Sequence, residues 1–439
     1  MIAVDRQTLL AEVSSVIEKM SFVLAPKALD EGIEVNAGVR NALMSPMGCP
    51  SLTDLVSPNS RVLLLADDMT RPTPRKLLIP PILDELNEAG VPDSQITTLI
   101  ALGTHRAMSP EEILKAFGEE VVGRVEVINH NFRDVSRLVQ VGHTKTGSPI
   151  IINRAVAEAD FVLGIGSIVP HSEAGWSGGA KILQPGVCGE ETIGWMHMLA
   201  ARQPDILALA GLEDNPVRLE IEEVALQAGL RFIVNVVFDS GGKVASIVAG
   251  DPVIAHRAGV PFAKDIFVRP IAKRADVVVV DARPADIDYW QGMKPLVYAT
   301  RAVKQGGTIV LCGEFPDGIS PIYGAEFREH GRKSRRALAA EERKGLLKEC
   351  VCTEALYLHS AITERVNVIC VSDDMSVEDQ EALGFQPSGA VRDALTMVLR
   401  ENGEAAAVGI ILQGGDVLPT VIEEGKEHGN EEISGRDGL

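Results

Sequence analysis

Short apolar runs rich in Val, Ile and Leu alternate along this chain with longer amphipathic stretches, and that alternation limits its fold more than any other feature. The runs are Val62–Ala66, Thr97–Leu102, Val125–Asn129, Phe161–Ile165, Phe232–Phe238, Val244–Val248, Val277–Asp281, Thr308–Cys312, Val366–Val371 and Ala407–Leu412. Helix-like stretches lie between them, among them Lys76–Ala89, Pro110–Phe117 and Val217–Ala228. Repeated strand–helix order predicts βαβ units and parallel sheets. With only 4% aromatic residues, the core must be aliphatic, which suits sheets buried on both faces. The 439 residues exceed the roughly 250–300 at which a single core stops growing. The expected fold is therefore α/β: two α/β domains with mostly parallel sheets and the active site in the cleft between them. Residues 1–268 are expected to form the first domain and residues 269–425 the second, and the polar, Gly-containing 426–439 a flexible tail.

A formal charge of −19 sets the surface against nucleic-acid phosphates and anionic membranes, so neither is expected as a partner. The opening stretch has acids and no basic segment followed by a long apolar one, and no run approaches the roughly 20 apolar residues of a membrane span. The six cysteines show no CxxC pairing, which fits a reducing compartment. A cytoplasmic location is expected. Cys350-Val351-Cys352 has no second Cys/His pair nearby and is a weak metal motif.

Polar clusters follow several of the apolar runs, where ligands collect in open α/β sheets. Asp67-Asp68-Met69-Thr70-Arg71-Pro72-Thr73-Pro74 follows Val62–Ala66 and could hold an anion, or serve as a turn and cap for the next helix. Gly103-Thr104-His105-Arg106 follows Thr97–Leu102 and puts a histidine where general acid/base chemistry is feasible. The densest cluster, Pro170-His171-Ser172-Glu173-Ala174-Gly175-Trp176-Ser177-Gly178-Gly179-Ala180-Lys181, follows Phe161–Ile165. Its glycines permit close approach of backbone to a ligand. Lys181 then enters an apolar stretch, and a desolvated lysine gains nucleophilicity. The spacing is neither a Walker A loop nor a complete dinucleotide fingerprint. His197 lies in the helix-like Glu191–Ala201. Asp288-Tyr289-Trp290-Gln291-Gly292-Met293-Lys294 offers donors for a carboxylate. The remaining histidines, His130, His143, His256, His330, His359 and His428, fall outside these clusters and read as structural or exposed.

Taken together, DDMTRPTP (67–74), GTHRAMSPEE (103–112), PHSEAGWSGGAKILQPGVCG (170–189), His197, QGMK (291–294) and AVKQGGTIVL (302–311) resemble the nickel-dependent lactate racemase family, in order and over nearly the whole chain. The resemblance implies a nickel-pincer nucleotide, a pyridinium mononucleotide with two sulfur groups, covalently bound to Lys181, with His197 completing the square-planar nickel site. It implies His105 and His171 as the two acid/base residues, so that residues 1–268 would carry the cofactor and the catalytic histidines and residues 269–425 would contribute substrate-binding residues. Asp68, Arg71, Thr73, Ser177, Gly178 and Gly179 are expected around the cofactor. Arg71, Trp290, Gln291 and Lys294 are expected around the substrate.

The implied reaction racemises a small 2-hydroxy acid. Deprotonating the α-carbon beside a carboxylate is hard. Removing hydride while a base takes the hydroxyl proton leaves a planar 2-keto acid, and hydride returned to the other face inverts the centre. Lactate or a related short-chain acid is the first expectation. A larger or acidic one (malate, phenyllactate, a sugar acid) is the alternative, with Arg106 or Arg75 free for a second carboxylate. Enzymes that make the cofactor would be needed for loading, and a homodimer stays open. Two rivals remain: an NAD-dependent 2-hydroxy-acid dehydrogenase, and a cofactor-binding protein without turnover.

Overall fold

The computed structural model describes residues 6–18, 20–403 and 405–422. Every expected run coincides with a strand, overrunning it by at most one residue at an end, and these strands belong to two six-stranded sheets. The first has the order Val244–Gly250, Leu230–Phe238, Phe161–Ser167, Val62–Asp67, Ile96–Ala101, Glu126–Asn129. Its pairings are parallel except the antiparallel edge pair of Leu230–Phe238 with Val244–Gly250. The second, wholly parallel, has the order Phe22–Leu24, Val408–Ile411, Ala275–Asp281, Val303–Cys312, Asn367–Val371, Gln386–Pro387.

Alternate residues of a central strand point to opposite faces, and both faces are covered. Val62, Leu64 and Ala66 enter one apolar cluster, while Leu63 and Leu65 enter another. Val277 and Val279 likewise face away from Val278 and Val280. Leu63 and Leu65 of the first sheet share their cluster with Val278 and Val280 of the second, so one continuous core joins the two halves. At about 25 cal/mol per Å² of apolar surface removed from water, that shared core is what holds the halves in register.

The helices begin where side chains satisfy their first amides. Ser109 and Glu112 form a capping box with Pro110 in the first turn, and Asn215 caps Pro216–Gln227. The helix expected to stop at Phe117 continues to Arg124 past a break at Gly118, whose φ is 80°. The N-terminal segment departs from the expected 1–268 unit. Phe22–Leu24 pairs with the strand at 408–411, and Glu12 accepts from the Val391 amide at 3.1 Å. Residues 6–24 thus belong with the second sheet. With three residues, that strand carries too little apolar pattern to be seen. The hairpin Leu138–His143/Pro149–Asn153 was also not anticipated, because it is partly exposed and polar. The expected tail 426–439 and His428 lie outside the described residues. Among the described residues no helix is long and apolar enough to cross a membrane.

Candidate active site

Three polar loops meet because the strands that feed them are neighbours. Phe161–Ser167, Val62–Asp67 and Ile96–Ala101 are adjacent and parallel, so the loops at their carboxyl ends lie side by side. They line a cavity with Asp68, Arg71, His105, His171, Ser177, Gly178 and Lys181 on its walls. His197 comes from the helix Glu190–Ala201. The second half adds Trp290, Gln291 and Lys294 from Tyr289–Ala299, a helix whose first turn is capped by Asp288, and Glu354 from Cys350–Thr363.

The two histidines face opposite hydrogen-bonding environments. His105 Nδ1 lies 2.6 Å from Asp68 Oδ2. Asp68 also accepts from the Thr70 amide at 3.1 Å and its hydroxyl at 2.6 Å. Burial alone would raise the Asp68 carboxyl, but His105 and these donors hold it well below the usual carboxylate range. His105 therefore keeps its proton on Nδ1 and presents Nε2 as an acceptor, 3.3 Å from the Gln291 amide nitrogen. His171 Nδ1 instead accepts from the amides of Glu173 and Ala174, both at 3.3 Å, which leaves its Nε2 to carry the proton. Burial, with Lys181, Lys294 and Arg71 nearby, pushes His171 well below its ordinary pKa.

A cationic wall faces them. Burial, then Arg71, lowers Lys181 to about 7, so its amine is substantially neutral and nucleophilic near neutral pH. Lys294 is lowered by burial, Arg71 and Lys181, and it donates to Gln291 Oε1. Arg71 spends one donor group on Thr70 at 3.1 Å. The loop behind Lys181 is fixed from below: Arg218, fully buried, donates to the carbonyls of Ala174, Trp176 and Gly178. Ser177 Oγ donates to Ser167 O at 2.7 Å and accepts from the Val169 amide at 2.9 Å, closing the loop's neck. Gly178 has φ 74°, and a Cβ there would come within 2.8 Å of Asn235 Oδ1.

Two residues expected at the cofactor stand behind the wall instead. Thr73 is buried and donates to Asp67 Oδ2 at 2.6 Å, an anchor that turns it away from the cavity. Gly179 donates its amide to Asn235 Oδ1 at 2.7 Å, and the space beside its Cα is filled by the His256 ring. Nor is either extra arginine free for a second carboxylate. Arg75 is buried against Asp67 at 2.7 Å, and Arg106 pairs with Glu112 at 2.7 Å. The other described histidines sit apart from the cavity. Three are tied to fixed partners: His130 to Cys188 O at 2.9 Å, His256 to Ser177 O at 2.8 Å, and His359 to Tyr289 at 2.6 Å.

Sequence reasoning passed over Glu354 and gave no role to Glu173. Glu173, His197 and Glu354 bring ligand-type atoms within 4.8 Å of one another. His197 Nδ1 is 3.1 Å from Glu354 Oε2 and 3.5 Å from Glu173 Oε2. Burial, then Glu173, raises Glu354 to about 7. Burial opposes charging His197, but the two carboxylates outweigh it and raise its pKa. The signal for Glu354 was present: it is an acid in the apolar helix CVCTEALYLHSAIT. Cys350 and Cys352, two apart on that helix, are one exposed and one buried and form no such group.

The comparisons with known proteins agree with this geometry. The family model described as the lactate racemase N-terminal domain matches residues 10–207. The lactate racemase of Lactiplantibacillus plantarum is 27% identical over 94% of this chain and 98% of its own. That of Thermoanaerobacterium thermosaccharolyticum is 32% identical over 64% of this chain and 66% of its own. The lactate racemase apoprotein structure from the latter organism superposes with a TM-score of 0.82 at 27% identity, covering 92% of this chain and 95% of that one. A Thermotoga maritima protein, at 20% identity and a TM-score of 0.67 over 88% of this chain and 97% of its own, shares the fold. Two parallel α/β sheets and a cavity holding paired histidines, in a chain with such relatives, define an isomerase of the racemase class. The chain belongs to the lactate racemase family.

Proposed function

We propose that this protein racemises a 2-hydroxy acid, as the names of its relatives state for lactate, with His105 and His171 as the two proton-transfer groups. The observation that carries the reading is the pairing of an Asp-backed His105 with a buried His171 in one cavity that also holds Lys181 and His197. The residues fit the nickel-pincer nucleotide. Lys181 offers a largely neutral amine for covalent attachment. His197 offers an imidazole nitrogen, and Arg71, with Lys294 as a further donor, faces an anionic ligand. When bound, that group supplies the acceptor and donor of a hydride.

The chain's own residues do the rest. Arg71 and Lys294 hold the substrate carboxylate. His105, its Nδ1–H donating to Asp68, takes the hydroxyl proton of the enantiomer that points toward it. His171 does the same for the other enantiomer. That requires its Nδ1 to give up two amide contacts already at the weak, long end of the hydrogen-bond range. Trp290 and Gln291 fix the substrate between them. We read the two sheets as two domains, the first carrying the cofactor and the second closing over the substrate.

A second reading concerns the substrate's side chain. On the His105 side the cavity opens into an annex whose apolar wall is Met69, Ile287, Trp290, Pro321, Ile322 and Tyr323, with Arg106, Asp288 and Asp317 on its polar side. That apolar wall beside the reacting centre favours a 2-hydroxy acid with a bulky apolar or aryl group over lactate. With Arg75 and Arg106 both paired, a second carboxylate is disfavoured.

The test is chiral chromatography of single enantiomers of lactate, phenyllactate and malate with protein co-expressed with the cofactor-making enzymes. Racemisation that is lost in both His105→Ala and His171→Ala, with nickel retained, is the expected result. Activity at the parent rate in either variant refutes the two-base assignment. NAD-dependent formation of 2-keto acid without nickel would make the chain a dehydrogenase instead.

A further inference from the structure

Burying a carboxylate in an apolar helix costs several kcal/mol unless it is partnered, and Glu354 is 2% exposed. Its Oε2 faces His197 Nδ1 at 3.1 Å, and its Oε1 has no hydrogen-bond partner. Its helix, Cys350–Thr363, packs along Glu190–Ala201, which carries His197. Glu173 Oε2 approaches the same Nδ1 at 3.5 Å, and its other oxygen accepts from Ser172 Oγ at 2.8 Å.

We propose that Glu354, seconded by Glu173, is a positioning residue for His197: Glu354 accepts a hydrogen bond from Nδ1–H, Glu173 adds its charge beside it, and the ring is held with Nε2 as the one lone pair left for a metal. The proposal rests on the cofactor reading above. An imidazole ligand is normally fixed in tautomer and angle by an acceptor on its other nitrogen, and losing that acceptor typically costs 10–100-fold in metal affinity. Here the acceptor comes from the far half of the chain, so metal retention depends on how the helices at 190–201 and 350–363 pack. The competing arrangement puts a bare divalent cation among Glu173, His197 Nδ1 and Glu354 directly, since their atoms lie close enough to share one.

The experiment follows nickel, by metal analysis, in holo-protein dialysed against a chelator. Glu354→Ala is expected to lose nickel roughly 10–100 times faster than the parent. Glu354→Gln, whose amide oxygen can still accept from Nδ1, is expected in between, with the melting temperature of both at or above that of the parent. Retention at the parent rate in both variants overturns the proposal. So does tight binding of Ni²⁺ alone to cofactor-free parent that is abolished by Glu173→Gln, because that makes the carboxylates direct ligands. Loaded parent without any nickel would instead defeat the cofactor reading, and so the two failures are told apart.

Discussion

Lys181→Met should stabilise the cofactor-free protein, and by an amount that depends on pH. The Lys181 amine falls from its ordinary 10.5 to about 7, chiefly because the cavity desolvates it and then because Arg71 repels its charge. At about 1.4 kcal/mol per tenfold change in proton affinity, the full shift corresponds to about 5 kcal/mol. The side chain is partly open to the cavity, and solvent screening brings the expected gain to about 2–4 kcal/mol. The sign follows from proton counting. Between pH 7 and 10.5 the unfolded chain binds a proton that the folded chain does not, so this group makes stability rise with pH through that window. Below pH 7 both states are protonated and the whole penalty is present; above 10.5 it vanishes. Methionine carries no charge and is close in volume. Denaturant titrations of parent and variant at pH 6 and pH 10 should therefore show the gain at pH 6 largely gone at pH 10. An equal gain at both pH values, or a loss at pH 6, would show that Lys181 is not a desolvated amine.

Three further outcomes follow from single contacts. Asp68→Asn removes the charged partner of His105, worth about 1.5–3 kcal/mol, so kcat/KM should fall roughly 10–100-fold. Enantiomers are equal in energy, so the fall must be equal in both directions, and steady-state rates from each enantiomer check it. Gly179→Ala should lower stability by about 1–3 kcal/mol, read as a lower denaturation midpoint, because its φ is 60° and the new Cβ would lie 2.8 Å from the His256 ring. Trp290→Ala removes a ring stacked on Tyr323 at 4.8 Å. It should change the ratio of kcat/KM for phenyllactate over lactate by about tenfold; an unchanged ratio places the substrate's side chain elsewhere.

What could be read from the sequence was what local pattern encodes. The apolar runs gave the strands because a strand buried on both faces needs no partner to announce itself, as Val277–Asp281 illustrates. The polar loops were legible because each follows such a run, which fixes Asp68, His105 and His171 at the carboxyl end of the first sheet. Thr73 and Gly179 were misplaced because sequence proximity to a site residue does not say which way a side chain or a missing one faces. Thr73 Oγ1 is captured by Asp67, six residues back, and Gly179 owes its lack of a side chain to His256 and not to a ligand. Glu354 was passed over because its partner is 157 residues away and on another helix. The strand Phe22–Leu24 was missed for the same reason, since its partner is at residues 409–411.

The electrostatics of the cavity connect these observations. The chain as a whole carries −19, which repels anionic substrates at long range, yet Arg71, Lys181 and Lys294 converge on one pocket, where burial and Arg71 disfavour the charge of both lysines. The two lysines are under tension in the free protein, because each is desolvated and faces the Arg71 charge. An anion entering the pocket relieves that tension, so part of its binding energy is already stored in the fold. The same arrangement explains why His171 stays neutral beside three cations while His105, a short distance across the cavity, is backed by a carboxylate. Two chemically identical side chains are thereby given different resting protons. His105 is thus set to take a proton as it stands, whereas His171 must first give up its two long amide contacts, and both must act if the centre is to be inverted from either enantiomer.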